Sequence, residues 1–558
     1  MRSFLLLSLP LGLVLFATSR EAPSARERAL PAAVREAAPL ASRIDVALEA
    51  LWRAEGVTPV EPVDDLAFAR RLWLDLLGTI PSLEEVRELE RRPAEGRRAW
   101  LVDRALADPR FPHAFAERLV RVIVGDDSKV DDLLYRRRRL VAWLAGELAR
   151  HRPWDAIVRE LIAAEGISTG APAVNFVLAQ EKDPVKLAAR TTRAFLGVRI
   201  DCAQCHDHPF AAWKQEEFHG LAAFFARVEQ DLSGVSEGGK GEYYLEPGGT
   251  ATVNKDEPRV VGVAGVGSAA PNPGMMTSMS GGGGARRIAP AVPFDPELLP
   301  REAHRRRALA TWVTHPGNDY FARAIVNRLW SGLLGRGFVE PVDELDLSEP
   351  GAPEVFDLLT RDLVEHGFQL ERTVRAIVLT RAYGLASRVP PGADAERALE
   401  RWAAFPLKPL RADQLGAATL QTTSFWTYDQ RRGQLVRLAR FGNLNDFVRR
   451  HGEDPGAETA EAESLLQRLH LLNGAELHER LEDDDIFAPA TRLPVLSRSD
   501  EAAVEAAFLM TLTRRPSARE RELFLARLQR TAEAKARSRA MADLLWALVN
   551  GTEFAWNH

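Results

Sequence analysis

The stretch LAFARRLWLDLLGTIPSLEEVREL, residues 66–89, decides the fold class. Leu66, Leu72, Leu76 and their apolar neighbours form a helical stripe that stops at Gly78. A glycine at that position takes the left-handed conformation that closes a helix without a Cβ penalty. Ser82 followed three residues later by Glu85 is a capping box, and the helix it opens runs through Val86 and Leu89.

The same start and stop signals recur on both sides. Pro153-Trp154 opens a helix carrying Ile157, Val158, Leu161 and Ile162. Asp183-Pro184 sets an N-cap before a proline at the first helical position, and that helix runs through Leu187 and Phe195 to Gly197. Val198-Arg199-Ile200 reads as an extended link, after which Phe218, Leu221, Phe225 and Val228 return at helical spacing. A second helical block starts near Glu302. Phe321, Ile325, Leu329 and Leu333 form a stripe closed by Gly335, and Val355, Leu358, Leu359 and Leu363 form one closed by Gly367. Val374, Ile377 and Val378 mark a third, and Val504 to Phe554 reads as a helical hairpin turning near Pro516.

Between the blocks, residues 231–296 are rich in Gly, Pro, Ser and Val, with short strands predicted at Glu242–Leu245 and Arg259–Val263. The expectation is a mainly α protein, two helical lobes joined by a Gly/Pro-rich segment with at most short strands. Along the chain this predicts a signal peptide (1–19), a flexible lead-in (20–40), a first helical domain (41–230), a linker or insertion (231–296) and a second helical domain (297–558). Residues 450–462, charged and poor in apolar side chains, are expected to be an exposed insertion.

Composition bounds the function. The 558 residues are 46% hydrophobic and 27% charged, an ordinary globular balance, and the net charge of -5 argues against nucleic acid as a main partner. The basic runs Arg136–Arg139 and Arg305–Arg307 read as solvated helix faces. At the start, Arg2, the apolar run Phe4–Ala17 broken by Pro10, and the small residues Ala17-Thr18-Ser19 form a secretory signal pattern. That run falls short of the roughly 20 residues a membrane span needs, so an exported, periplasmic or cell-surface protein is expected, with no stable transmembrane segment beyond the signal region.

Both cysteines of the chain lie in Cys202-Ala203-Gln204-Cys205-His206, a C-x-x-C-H pattern. That pattern attaches c-type haem, with two thiols bonded to the porphyrin vinyls and the histidine ligating iron. On a helical turn positions i, i+3 and i+4 share a face, so Cys202, Cys205 and His206 meet one flat cofactor, and Asp201 with Gln204 is placed to cap the turn. Three other readings stay open: a disulfide or redox pair, two core thiols, and a zinc-type set of Cys202, Cys205, His206 and His208, with Asp207 or His208 as base if the module is an enzyme. Met275, Met276 and Met279 in the glycine-rich segment are candidate distal iron ligands. No nucleophile elbow, phosphate loop or H-E-x-x-H is present. Arg323, Asn327, Arg328 and Asp343 either line a second polar site, as on an interaction scaffold meeting another exported protein or a glycan, or tie helices together within one body.

The chain resembles a family of exported planctomycete proteins that join a planctomycete cytochrome-c-like domain to a planctomycete-specific C-terminal domain. The resemblance rests on Arg71 through Pro81 with Glu84-Glu85-Val86, on Cys202 through Phe210, and on Leu221 through Phe225. In the second half it rests on Phe321 through Trp330, Gly335 through Asp343, Arg381-Ala382-Tyr383 with Ser387, and Leu548 through Phe554. It implies a cytochrome-c-like first domain, named for the Cys202–His206 pattern, and brings no established activity. The glycine-rich insertion near residues 264–284 departs from the family's shorter linker. The function expected is that of a c-type cytochrome-like protein holding one covalent haem for electron transfer or for a haem-dependent role with an exported partner.

Overall fold

The computed structural model describes residues 28–126, 130, 135–207, 213–246, 250–254, 259–261, 285–427, 488–531 and 533–558. The fold is mainly α, as the stop and cap signals predict. The helix Asp65–Leu77 ends at Gly78 with φ of +67°, and Ser82 and Glu85 complete their capping box by reciprocal bonds of 3.2 and 2.8 Å. Asp183 caps the helix Pro184–Thr191 by accepting the amides of Val185 and Lys186 at 2.8 and 3.2 Å.

Two apolar cores organise the helices. The larger gathers side chains from Val34 through Ile288 and from Ala308 through Phe405, so helices before and after the joining segment share it. The smaller is built from Leu410, Leu415 and Ala418 with helices of the last 70 residues, among them Phe508, Met541 and Leu545. Asp65–Leu77 lies between the cores. Leu72, Trp73 and Leu76 face the larger one and Leu74 the smaller, and nearly every residue of the helix is buried. A helix buried on nearly every side is an interior helix.

Three charged residues are buried in that helix, and each bonds distant parts of the chain. Arg70 donates to the carbonyls of Thr511 and Phe554 at 3.1 and 3.0 Å. Arg71 lies 3.4 Å from the Phe405 ring centre and donates to the carbonyls of Tyr383 and Leu385. Asp75 accepts from Lys408 at 2.9 and 3.1 Å, from the Tyr383 hydroxyl at 3.0 Å and from Asn557 at 3.0 Å. These bonds fasten the chain's end onto an early helix.

The joining segment contains the strands expected there. Glu242–Leu245 and Ala251–Asn254 pair antiparallel, with Arg259–Val261 and Arg286–Ile288 at the edges in the order Arg259–Val261, Ala251–Asn254, Glu242–Leu245, Arg286–Ile288. Glu237 carries this segment onto the second block: its carboxylate accepts the amides of Arg305 and Arg306 at 2.6 and 3.1 Å, capping the helix Arg305–Val313 from outside.

Several local expectations need correction. Arg306 does not lie on a solvated face; it is buried against Glu237 and donates to the carbonyls of Ile162 and Ala164. From Ala32 onward the chain is helical and packed rather than a loose lead-in, with Val34, Ala37 and Leu40 buried, and Arg28 just before it pairs with Glu371 at 2.7 Å. The C-terminal hairpin is three helices, Asp500–Leu512, Ala518–Gln529 and Ala534–Val549, because the chain breaks after Gln529 without a glycine or proline to announce it. Residues 450–462 lie outside the described residues.

Candidate functional site

The helix Pro184–Thr191 does not run straight into the cysteine motif. It widens into a π-helical turn, Thr192–Leu196, and stops at Gly197 with φ of +64°. A π turn leaves carbonyls without their usual partners, and here the Arg328 guanidinium takes those of Arg193 and Ala194. The link Val198-Arg199-Ile200 then delivers the chain to a short 3-10 turn, Asp201–Gln204. Cys205 follows as the residue that closes this turn. Cys205 is exposed and its thiol is free, and His206 beside it is exposed.

The expected cap by Asp201 is absent. Position 200 precedes the turn with no side-chain cap, and Asp201 instead pairs with Arg193 of the π turn. A turn this short leaves little for a cap to satisfy, and a guanidinium is the stronger partner. The His206 ring has Nδ1 2.7 Å from the carbonyl of Asp207. Only a protonated Nδ1 bonds a carbonyl, so Nε2 carries the lone pair and is the atom left to ligate a metal.

The following helix, Gln215–Ala222, holds the turn from behind. The Gln215 side chain donates to the carbonyls of Gln204 and Cys205 at 3.2 and 3.0 Å, and its amide bonds the Asp207 carboxylate at 2.9 Å. His219 is fully buried one turn on. Its Nε2–H donates to the Gln204 carbonyl at 3.0 Å, and Nδ1 accepts from the Tyr243 hydroxyl at 2.8 Å. Burial lowers the His219 pKa and raises that of Tyr243. Sequence reading saw only the apolar stripe of this helix; the spacing of Gln215 and His219 by one turn on the helix after the motif was the signal available for their role.

A histidine held neutral in the fold has a definite pH signature. The unfolded chain binds the proton that His219 refuses, so stability is lost as pH falls from about 6.5 toward the depressed folded pKa. His558, lowered chiefly by burial, adds a loss of the same sign. Urea midpoints at pH 7.5 and 5.5 should therefore drop more for the native chain than for His219→Gln. Equal drops would remove His219 from this account.

Arg193 and Arg199 also connect the turn to a cavity of about 920 Å³. Arg199 donates to Asp343 at 2.6 Å, which raises the guanidinium pKa, and Arg193 Nε lies 3.7 Å from the same carboxylate. The other polar residues singled out on the second block bind across elements: Arg323 pairs with Asp357 at 2.8 Å, and Asn327 exchanges two bonds with the backbone of Val339.

His208, Met275, Met276 and Met279 lie outside the described residues, as does the predicted signal segment 1–19. Among the described residues no group of three His, Cys, Asp or Glu side chains is placed to hold a metal ion, and no helix is long and apolar enough to cross a membrane. Of the haem donor set, the described side chains are the free, exposed Cys205 thiol and the neighbouring His206 ring.

Residues 43–230 match the family model PSCyt2, described as a protein of unknown function (DUF1549), and residues 305–440 match PSD1, a protein of unknown function (DUF1553). The two matches stand in the N-to-C order that the resemblance predicts, with the cysteine turn inside the first. No curated protein and no solved structure matches the chain.

Proposed function

We propose that the chain is an exported c-type cytochrome-like protein that attaches one haem c through Cys202 and Cys205, with His206 as axial ligand, and serves electron transfer or a haem-dependent role with an exported partner. The observation that carries this reading is the pairing of a free, exposed Cys205 thiol with a His206 ring anchored through Nδ1. Haem attached there supplies one-electron chemistry. The chain's own part is to hold the turn: Gln215 and His219 pin its carbonyls, and Arg193 pins Asp201. The carbonyl of Asp207 fixes the imidazole tautomer and so directs Nε2 outward. The name of the first matched model, PSCyt2, agrees with this reading without supplying an activity.

Expression with a c-type maturation system tests it. The denatured protein should retain a Soret band, stain for haem after electrophoresis and yield a thioether-type pyridine haemochrome. Cys202→Ala and Cys205→Ala should each weaken attachment, and His206→Ala should change the axial ligation while leaving the secondary structure intact. A colourless preparation carrying stoichiometric zinc from the same host defeats the haem reading in favour of the set Cys202, Cys205, His206 and His208.

A further inference from the structure

The cavity behind Arg193 and Arg199 belongs to none of this chemistry. Its volume of about 920 Å³ is that of a small-molecule site. Seven cationic side chains line it against five carboxylates, and three of those carboxylates face cations. Asp75 is held by Lys408, Asp343 by Arg199, and Glu400 lies 4.0 Å from Arg336. Arg118 is different. Its Nη2 donates to the backbone carbonyl of Asp75 at 3.0 Å, and among the described residues no carboxylate lies within ion-pair distance of it. A guanidinium offers five donors in a planar fork, so one neutral acceptor leaves most of that fork to a further partner.

We propose that this cavity binds a small solute carrying an oxyanion, a carboxylate, phosphate or sulfate, received by the Arg118 guanidinium with Arg336 at the mouth. The surroundings favour the charge. Burial, with the nearby Arg411 guanidinium, lowers the Arg118 pKa to about 10 against the opposing pull of Asp75 and Asp413, so a further anion beside it is favoured. Arg336, half exposed and only loosely paired with Glu400 at 4.0 Å, is reachable from solvent. The inference does not depend on haem, since no residue of the cysteine turn lines the cavity.

Calorimetric titration of the full chain in low-chloride buffer, with inorganic sulfate, inorganic phosphate and glucuronate as separate probes, tests the site. Saturable binding of at least one is expected, and the tightest distinguishes a free inorganic anion from a sugar acid. Arg118→Gln should weaken that binding by about tenfold or more, as the loss of a charge-assisted bond requires. Arg336→Gln should weaken it by a smaller factor with an unchanged circular dichroism spectrum, and carries the test if Arg118→Gln does not fold. The proposal is overturned if none of the three probes binds, or if the folded variants bind as the native chain does.

Discussion

Asp75→Ala is expected to cost about 3–5 kcal/mol, the range for removing one partner of a buried ion pair, enough to unfold a marginal protein. The reason lies in what remains. Lys408 is buried against Asp75 and the carbonyls of Gly332 and Leu333, and among the described residues that carboxylate is the one charge that compensates it. Tyr383, fully buried, and Asn557 lose their acceptor at the same time. Lys408→Met should rescue part of the loss, so the double variant is expected to be less destabilised than the two single variants added together.

The same cluster predicts a pH response. Burial lowers the Lys408 pKa to about 8, with Asp75 acting against the shift. Between about 8 and the unfolded lysine value near 10.4, the unfolded chain binds more protons than the folded one, so this group makes stability rise with pH. Asp75→Ala removes the stabilising charge, and the rise should then begin at lower pH. Denaturant midpoints from pH 7 to 9.5 measure it. An unchanged onset in the variant would show that Lys408 does not feel Asp75.

The second large effect is expected at Gly197. Its φ of +64° lies in the left-handed region, and a Cβ built there meets Leu345 at 2.8 and 2.9 Å and Ala324 at 3.3 Å. Gly197→Val adds a left-handed penalty of about 1–2 kcal/mol to overpacking of about 1–3 kcal/mol. The bond from the Leu345 amide to the Gly197 carbonyl, 2.7 Å long, keeps the neighbour from yielding freely. Because Gly197 sets the direction of the link into Asp201–Gln204, the variant should also reduce haem attachment beyond its loss of thermal stability. Gly367→Ala, with a similar φ of +63° and open space around its Cβ position, is the control for backbone strain alone. Attachment that falls equally in both variants would mean that Gly197 has no special bearing on the turn.

The helical character, the capping box at Ser82 and Glu85, the N-cap at Asp183 and the stops at Gly78, Gly197 and Gly335 are all legible in the sequence. Each depends on groups within a few residues, and local chemistry leaves a local pattern. The strand at Glu242–Leu245 was legible for the same reason. The spacing of Cys202, Cys205 and His206 is also a sequence fact, but it leaves haem, zinc-type and thiol chemistry open and does not say what holds the turn. What only the tertiary structure decided is where charge is buried. Nothing in the sequence around Arg70, Arg71 and Asp75 announces their burial; the structure places them between two cores, bonded to partners more than 300 residues away. Glu237 capping a helix 68 residues further on, and His219 bridging Gln204 to Tyr243, belong to the same class. A buried polar group must find a partner, but nothing in the residue itself says which part of the chain supplies it.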